Sequence, residues 1–290
     1  MVRFHSGASL LDACNEYQIS ISEAMLFIEQ RQSECTREEL FEEMRKNLCV
    51  MQEAVEKGLT GNARSMSGLS GGNAARLHAH APMAVLGEQA AKAAAAAMAT
   101  VEVNAAMGRI VAAPTAGASG ILPGVLLTLA PLYAWQEEDL LAGLFTAGAV
   151  GMIIALRATI SGAEGGCQAE TGAAAAMTAA AIVELRGGTA EAALHAAAIA
   201  LKNVLGLVCD PVAGLVECPC IKRNALGAVN AMLAADMALC GIQSHIPFDE
   251  VVDAMRLVGA SMQRELRETA QGGLAATPTG REIARRLREV

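Results

Sequence analysis

A chain of 290 residues is long enough to bury a sizeable core. With aromatics at only 3 % and a composition dominated by Ala, Leu, Met and Gly, it favours helix over sheet, because Ala, Leu and Met lose little rotamer freedom in a helix. A formal net charge of −8 argues against a nucleic-acid binder, which neutralises phosphates with Lys and Arg. The eight cysteines follow an N-terminus that carries Arg3, His5 and Asp12 but no apolar secretory segment. They point to a reducing compartment, the cytoplasm, where thiols serve as metal ligands or buried fillers more often than as disulfides.

The expected architecture is all-α: a single domain over 1–290, with N-terminal helices over 1–57 and a core of buried small-residue helices over 58–280. Residues 5–57 read as two or three amphipathic helices. Ser22 is a candidate N-cap, Thr36 with Glu39 forms a capping box ahead of Leu40, Phe41, Met44, Leu48 and Met51, and Gly58 is the expected stop. The Gly/Ser-rich segment 58–73 lacks the lysine and spacing of a P-loop. It reads either as a connector or as a loop near an anionic substrate.

Helix is predicted over 75–107, then a Pro/Gly-rich loop over 113–120 leading into the apolar stretch 121–135. Further helices are predicted over 140–157, 171–186, 190–204, 224–240, 248–270 and 281–289, with irregular chain over 206–224 and 271–280. Two uncharged runs, Ile110–Gln136 and Leu140–Leu156, raise a membrane reading. The first is interrupted by Pro114, Pro123 and Pro131, and the second is Gly/Ala-rich and at the short limit for a span, so buried core helices of a protein without membrane contact fit better.

Cys167, Cys209, Cys218 and Cys220 lie on Gly- or Pro-rich irregular segments, whereas Cys14, Cys35, Cys49 and Cys240 lie on helical ones and read as fillers. Loop thiols suit a metal or an iron–sulfur cluster, but their spacing matches neither a ferredoxin run nor a zinc ribbon, so spacing alone leaves metal ligand and buried filler both open. His78 and His80 are candidate bases, His195 reads as structural, and Lys202 and Lys222 have no cofactor cradle around them, so no PLP is expected. Glu164 and Glu170 flank Cys167 either as ligand- or substrate-orienting groups or as helix caps. Asp210 reads as a turn residue before Pro211. Lys222 and Arg223 beside Cys220 read as a carboxylate or cluster-charge site, or as a solvated pair.

The segments APTAGASGILPGVL (113–126), ISGAEGGCQAETG (160–172), LGLVCDPVAGLVECPCIKRNA (205–225) and ETAQGGLA (268–275) resemble, in order and separation, the alpha chain of iron–sulfur-dependent L-serine dehydratases, over about residues 40–275. The resemblance implies a [4Fe–4S] cluster on Cys167, Cys209 and Cys220, with Cys218 a bystander where the family usually has an aliphatic residue. It also implies a lyase that converts L-serine to pyruvate and ammonia by iron-assisted β-elimination. Substrate contacts are expected from Thr115, Gly117, Ser119, Lys222 and Arg223. Single-chain relatives typically read TNGACG in that first loop and carry a cysteine near the C-terminus, whereas the last cysteine here is Cys240. Such relatives begin with a further domain, so the expected partner is a separately encoded beta subunit in a hetero-oligomer, supplying the base. Relatives acting on cysteine keep the same scaffold, and a non-catalytic cluster-binding regulator is the other alternative.

Overall fold

Small residues organise the architecture. In the computed structural model, which describes residues 2–289, every residue of Ala93–Ala99 and of Ala173–Ala181 is buried. Helices with no side-chain bulk on the facing surface approach until backbone meets backbone, and glycines mark these contacts. A Cβ on Gly58 would stand 2.3 Å from the Ala99 carbonyl oxygen, and one on Gly124 would stand 2.4 Å from the Ala97 nitrogen.

The chain is all-α. Three helices, α1 (Gly7–Tyr17), α2 (Ile21–Ser33) and α3 (Arg37–Leu59), are followed by α4 (Asn73–His80), α5 (Glu88–Ala105), α6 (Ile121–Tyr133) and α7 (Glu137–Arg157). Then come the one-turn α8 (Gly162–Gly165), α9 (Ala173–Leu185), α10 (Ala190–Lys202), α11 (Cys220–Leu239), α12 (Phe248–Ser261) and α13 (Pro278–Arg288). No strand occurs among the described residues, only one isolated parallel bridge between Cys209 and Arg267. α5 packs on α3, α4, α6 and α11, while α9 packs on α7, α10 and α11. The main core draws on α1 and α2 as well as on α6, α7 and α9–α12, so the N-terminal helices are continuous with it.

Acidic side chains from one helix cap the N-termini of others, where the backbone N–H groups lack intrahelical partners. Glu102 of α5, itself buried, accepts from the Asn73 and Ala74 N–H groups of α4 at 2.9 and 3.3 Å. Glu184 of α9 accepts from Ile21 and Ser22 of α2, and Asp249 of α12 accepts from Gly7 and Ala8 of α1. Long-range caps of this kind fix helix pairs in register and leave no local sequence signal.

The capping box at Thr36 and Glu39 is present. Four other expectations are corrected. Ser20, not Ser22, caps α2, its hydroxyl accepting from Glu23 N–H. Gly58 does not stop α3, which runs through Leu59; it is there for the close approach to α5. The single helix over 75–107 is broken at 81–87 by a short turn around Pro82 and by Gly87 at φ +80°. The helix over 248–270 ends at Ser261, because the chain beyond it leaves to pair with Cys209.

Two helical stretches, Ala116–Tyr133 and Glu137–Arg157, have the length and composition to cross a membrane, and 56 % and 67 % of their most apolar windows are buried inside the fold. Pro123 falls in the first turn of α6, where its missing N–H costs no hydrogen bond, and α6 continues through Pro131 to Tyr133.

Candidate active site

Four irregular segments meet at one end of the small-residue core: 113–120, 161–172, 203–219 and 262–277. Cys167 opens a π-helical turn, Gln168–Gly172, that leads into α9. Its neighbour Gln168 has no exposed surface and a fully used amide. Nε2 donates to the Gly165 and Met255 carbonyls at 2.9 Å each, and Oε1 accepts from Gly206 N–H at 2.9 Å. That one side chain ties the Cys167 turn to α12 and to the segment carrying Cys209.

Cys209 sits in the bridge, its N–H donating to Leu266 O at 2.8 Å and its C=O accepting from Glu268 N–H at 2.7 Å. Cys220 begins α11, four residues earlier than the sequence pattern predicted. One turn on, Arg223 donates to Val208 O and to Asp210 Oδ1, both at 2.8 Å, and so grips the residues on either side of Cys209. Asp210, buried, also accepts from Leu274 N–H at 2.7 Å. Asn224 donates to Gly117 O at 2.7 Å and accepts from Gly120 N–H at 3.0 Å, which fixes the 113–120 loop against the first turn of α11.

These ties bring three buried thiols together. Cys167 Sγ lies 3.2 Å from Thr171 Oγ1, and Cys209 and the Arg223 guanidinium lie close enough to act on its charge. Hydrogen bonding from Cys209, reinforced by Thr171 and the Arg223 charge, pulls the Cys167 thiol down toward thiolate, while Cys209, the donor in that contact, is raised. Burial, with the nearby Cys167 charge, pushes Cys220 up to about 12. The carboxyl among them is Glu170, with Oε2 3.9 Å from Cys209 Sγ. Burial, with the Cys167 charge, raises it to about 7. Thr115 Oγ1 is buried beside Glu170. Glycines leave this space open: a Cβ on Gly162 would lie 2.7 Å from Glu170 Oε2 and 3.0 Å from Cys209 Sγ.

A scan against protein families matches the serine dehydratase alpha chain model over residues 16–275. The chain belongs to that family. It is 53 % identical over 286 residues, 98 % of its length and 95 % of the relative's, to the probable L-serine dehydratase alpha chain of Bacillus subtilis. It is 47 % identical over 283 residues, 97 % of each chain, to the L-serine dehydratase alpha chain of Peptoniphilus asaccharolyticus. Against the L-serine dehydratase of Streptomyces coelicolor it is 42 % identical over 282 residues, covering 94 % of this chain but 60 % of that protein.

Within this serine dehydratase alpha chain fold, the remaining predicted site residues scatter. Thr115 and Gly117 border Glu170. Ser119 is fully buried, and its hydroxyl donates to Ala116 O within its own loop. Lys222 is exposed, while Arg223 faces the thiols. Glu164 is exposed and accepts from Thr159 Oγ1 at 2.7 Å. His78 and His80 are exposed on the last turn of α4, and His78 lines a cleft with Val55, Leu59 and Lys92 that contains none of the thiols. His195 accepts weakly from Ser244 N–H, and Lys202 donates to Ser244 O at 2.6 Å, both structural contacts. The Ser-rich loop is tethered by the chain's own anion: Ser67 and Ser70 both donate to the buried Glu217 carboxylate, in the segment just before Cys220.

The donor set fits an iron–sulfur cluster. It offers three thiols and one open side bordered by Gly117, Gly162 and Thr115.

Proposed function

We propose that this chain is the cluster-bearing subunit of an L-serine ammonia-lyase, with Cys167, Cys209 and Cys220 holding a [4Fe–4S] cluster. The observation that carries the reading is the meeting of three buried thiols from separate segments, with a glycine-walled space alongside. Held by these three thiolates, such a cluster would supply Lewis acidity toward a leaving hydroxyl.

The chain's own groups account for the rest of the environment. Arg223 offsets thiolate charge and holds the Cys209 and Cys220 segments in register, so it acts on the ligands rather than on the serine carboxylate. Thr115 Oγ1 and the Gly117 backbone line the space where a small polar substrate is received. Glu170, buried with its pKa raised to about 7, holds a proton at its carboxyl and is placed to exchange it with the departing hydroxyl. In the overall reaction the α-proton and the β-hydroxyl leave serine as water. The aminoacrylate that remains tautomerises to an imine, and hydrolysis gives pyruvate and ammonia.

His78, His80 and Glu164 stand apart from the thiols, which supports an α-proton base supplied by a separate beta chain in a cytoplasmic hetero-oligomer. The words "alpha chain" in the names of the Bacillus and Peptoniphilus relatives support the same partner.

The test is an anaerobic preparation assayed for iron and sulfide per chain, and for pyruvate from L-serine with and without the beta chain. About four irons per chain, with activity appearing on mixing, is the expected result. No iron after reconstitution overturns the ligand set. Full activity of the isolated chain overturns the partner-supplied base.

A further inference from the structure

A second cavity, of about 660 Å3, opens beside the Cys209 bridge, and its walls carry Thr159, Glu164, Arg256, Arg264, Arg267 and Glu268. Some arginines elsewhere pair with carboxylates: Arg37 with Glu23, Arg45 with Glu137, Arg157 with Asp253, Arg223 with Asp210 and Arg285 with Glu282. The three cavity arginines have no ion-pair partner among the described residues, and the Arg267 Nε is buried without any hydrogen-bond acceptor. A buried N–H left without an acceptor is costly, and a bound anion removes the cost.

Two carboxylates line the same walls without closing on those arginines. Glu164 is held by Thr159 Oγ1 at 2.7 Å, and Glu268 follows Arg267 in the bridge, its own N–H fixed on Cys209 O. Three guanidiniums and two carboxylates held apart around one space match a ligand with both charges. A bare cation meets the arginines, and a phosphate dianion meets the glutamates.

We propose that this cavity is an α-amino-acid site, in which Arg264 and Arg267, with Arg256 at the rim, take the α-carboxylate and Glu164 and Glu268 take the ammonium. The site adjoins the thiol centre, because Arg267 is the bridge residue opposite Cys209 and the Glu268 N–H donates to Cys209 O at 2.7 Å. The binding chemistry stands on the cavity alone; only the choice of a serine-sized probe rests on the proposed lyase function.

The experiment uses L-alanine, which has no β-leaving group and is not turned over, titrated calorimetrically into the full chain, with ethanolamine and propionate as probes lacking one charge each. L-Alanine binding at least about tenfold tighter than either single-charge probe is expected, with a loss of at least about tenfold in R264Q and in R267Q. R285Q, on α13, is expected to bind as the parent does. Arg264 is exposed, so R264Q tests the site even if R267Q fails to fold. Equal binding of ethanolamine and L-alanine, no L-alanine binding, or parental affinity in R264Q overturns the proposal.

In the complex with its partner, an effect of L-alanine on serine turnover that is weakened at least about tenfold in R264Q supports the site. Absence of pyruvate from L-serine while L-alanine still binds strikes only the lyase reading.

Discussion

Gly124 and Gly162 are both buried, yet they serve opposite ends. A Cβ on Gly124 would meet the backbone nitrogen and Cα of Ala97 at 2.4 and 2.7 Å, so glycine there lets α5 and α6 press together. A Cβ on Gly162 would meet the ends of two side chains, Glu170 and Cys209, so glycine there keeps a reactive space clear. The helix-packing region spends its small residues on contact, and the loop region spends them on vacancy. Stability and chemistry are therefore carried by different residues, and each can be removed with the other left in place.

The largest effect is expected at the packing side. Gly124→Val drives a branched side chain into backbone that cannot move without shifting a whole helix, and should cost about 3 kcal/mol or more, enough to leave little folded protein. Denaturant unfolding measures it, and a loss below about 1 kcal/mol breaks the proposed division. Next comes Cys209→Ser, nearly isosteric with the native thiol and held by backbone on both sides. It should abolish cluster loading and turnover while the unfolding midpoint stays close to the parent's. Iron and sulfide assays on the reconstituted protein decide, and full loading in this variant removes Cys209 from the ligand set.

Gly162→Ala tests the vacancy itself. The added methyl meets mobile side-chain ends rather than backbone, so the fold should lose no more than about 1 kcal/mol. Cluster content and turnover should fall several-fold, because the same methyl crowds Cys209 Sγ and the Glu170 carboxyl. A loss of stability comparable to that of Gly124→Val, with loading unchanged, inverts the comparison.

Much of the packing region was legible in the sequence. Alanine runs at 93–97 and 173–176, the capping box at Thr36 and the apolar stretch ahead of Trp135 are local patterns with local causes, and helices formed there. Pro82 and Gly87 mark the break at 81–87 locally. What escaped otherwise was set by distant contacts: the N-terminus of α4 is capped by Glu102 from another helix, and α12 ends early because Arg267 pairs with Cys209. At the site, the three thiol positions came from family resemblance, not spacing, since 167, 209 and 220 fit no short motif. Gln168 and Asn224 tie the loops together over 38 and 107 residues, and nothing adjacent to them in sequence announces it. Glu170 stood level with Glu164 in the sequence. Only burial separates them, one turned in to the thiols and the other out to Thr159.

The smallest effect is expected at Cys218, and it sharpens the comparison most narrowly, because two cysteines lie two residues apart with one assigned to chemistry and one not. Cys220 is buried at the start of α11, where Asn224 Nδ2 donates to its carbonyl at 3.0 Å and Arg223 follows one turn later. Cys218 is half-buried, and its contribution runs through its backbone, whose carbonyl accepts from Val212 N–H at 2.9 Å. Replacing its side chain leaves that hydrogen bond intact. Cys218→Ala should therefore hold the parental iron and sulfide content, keep turnover within about twofold and change stability by no more than about 0.5 kcal/mol. Loss of one iron or more per chain makes Cys218 a ligand, and the double variant Cys218→Ala/Cys220→Ser then shows whether the two thiols substitute for one another at the same position.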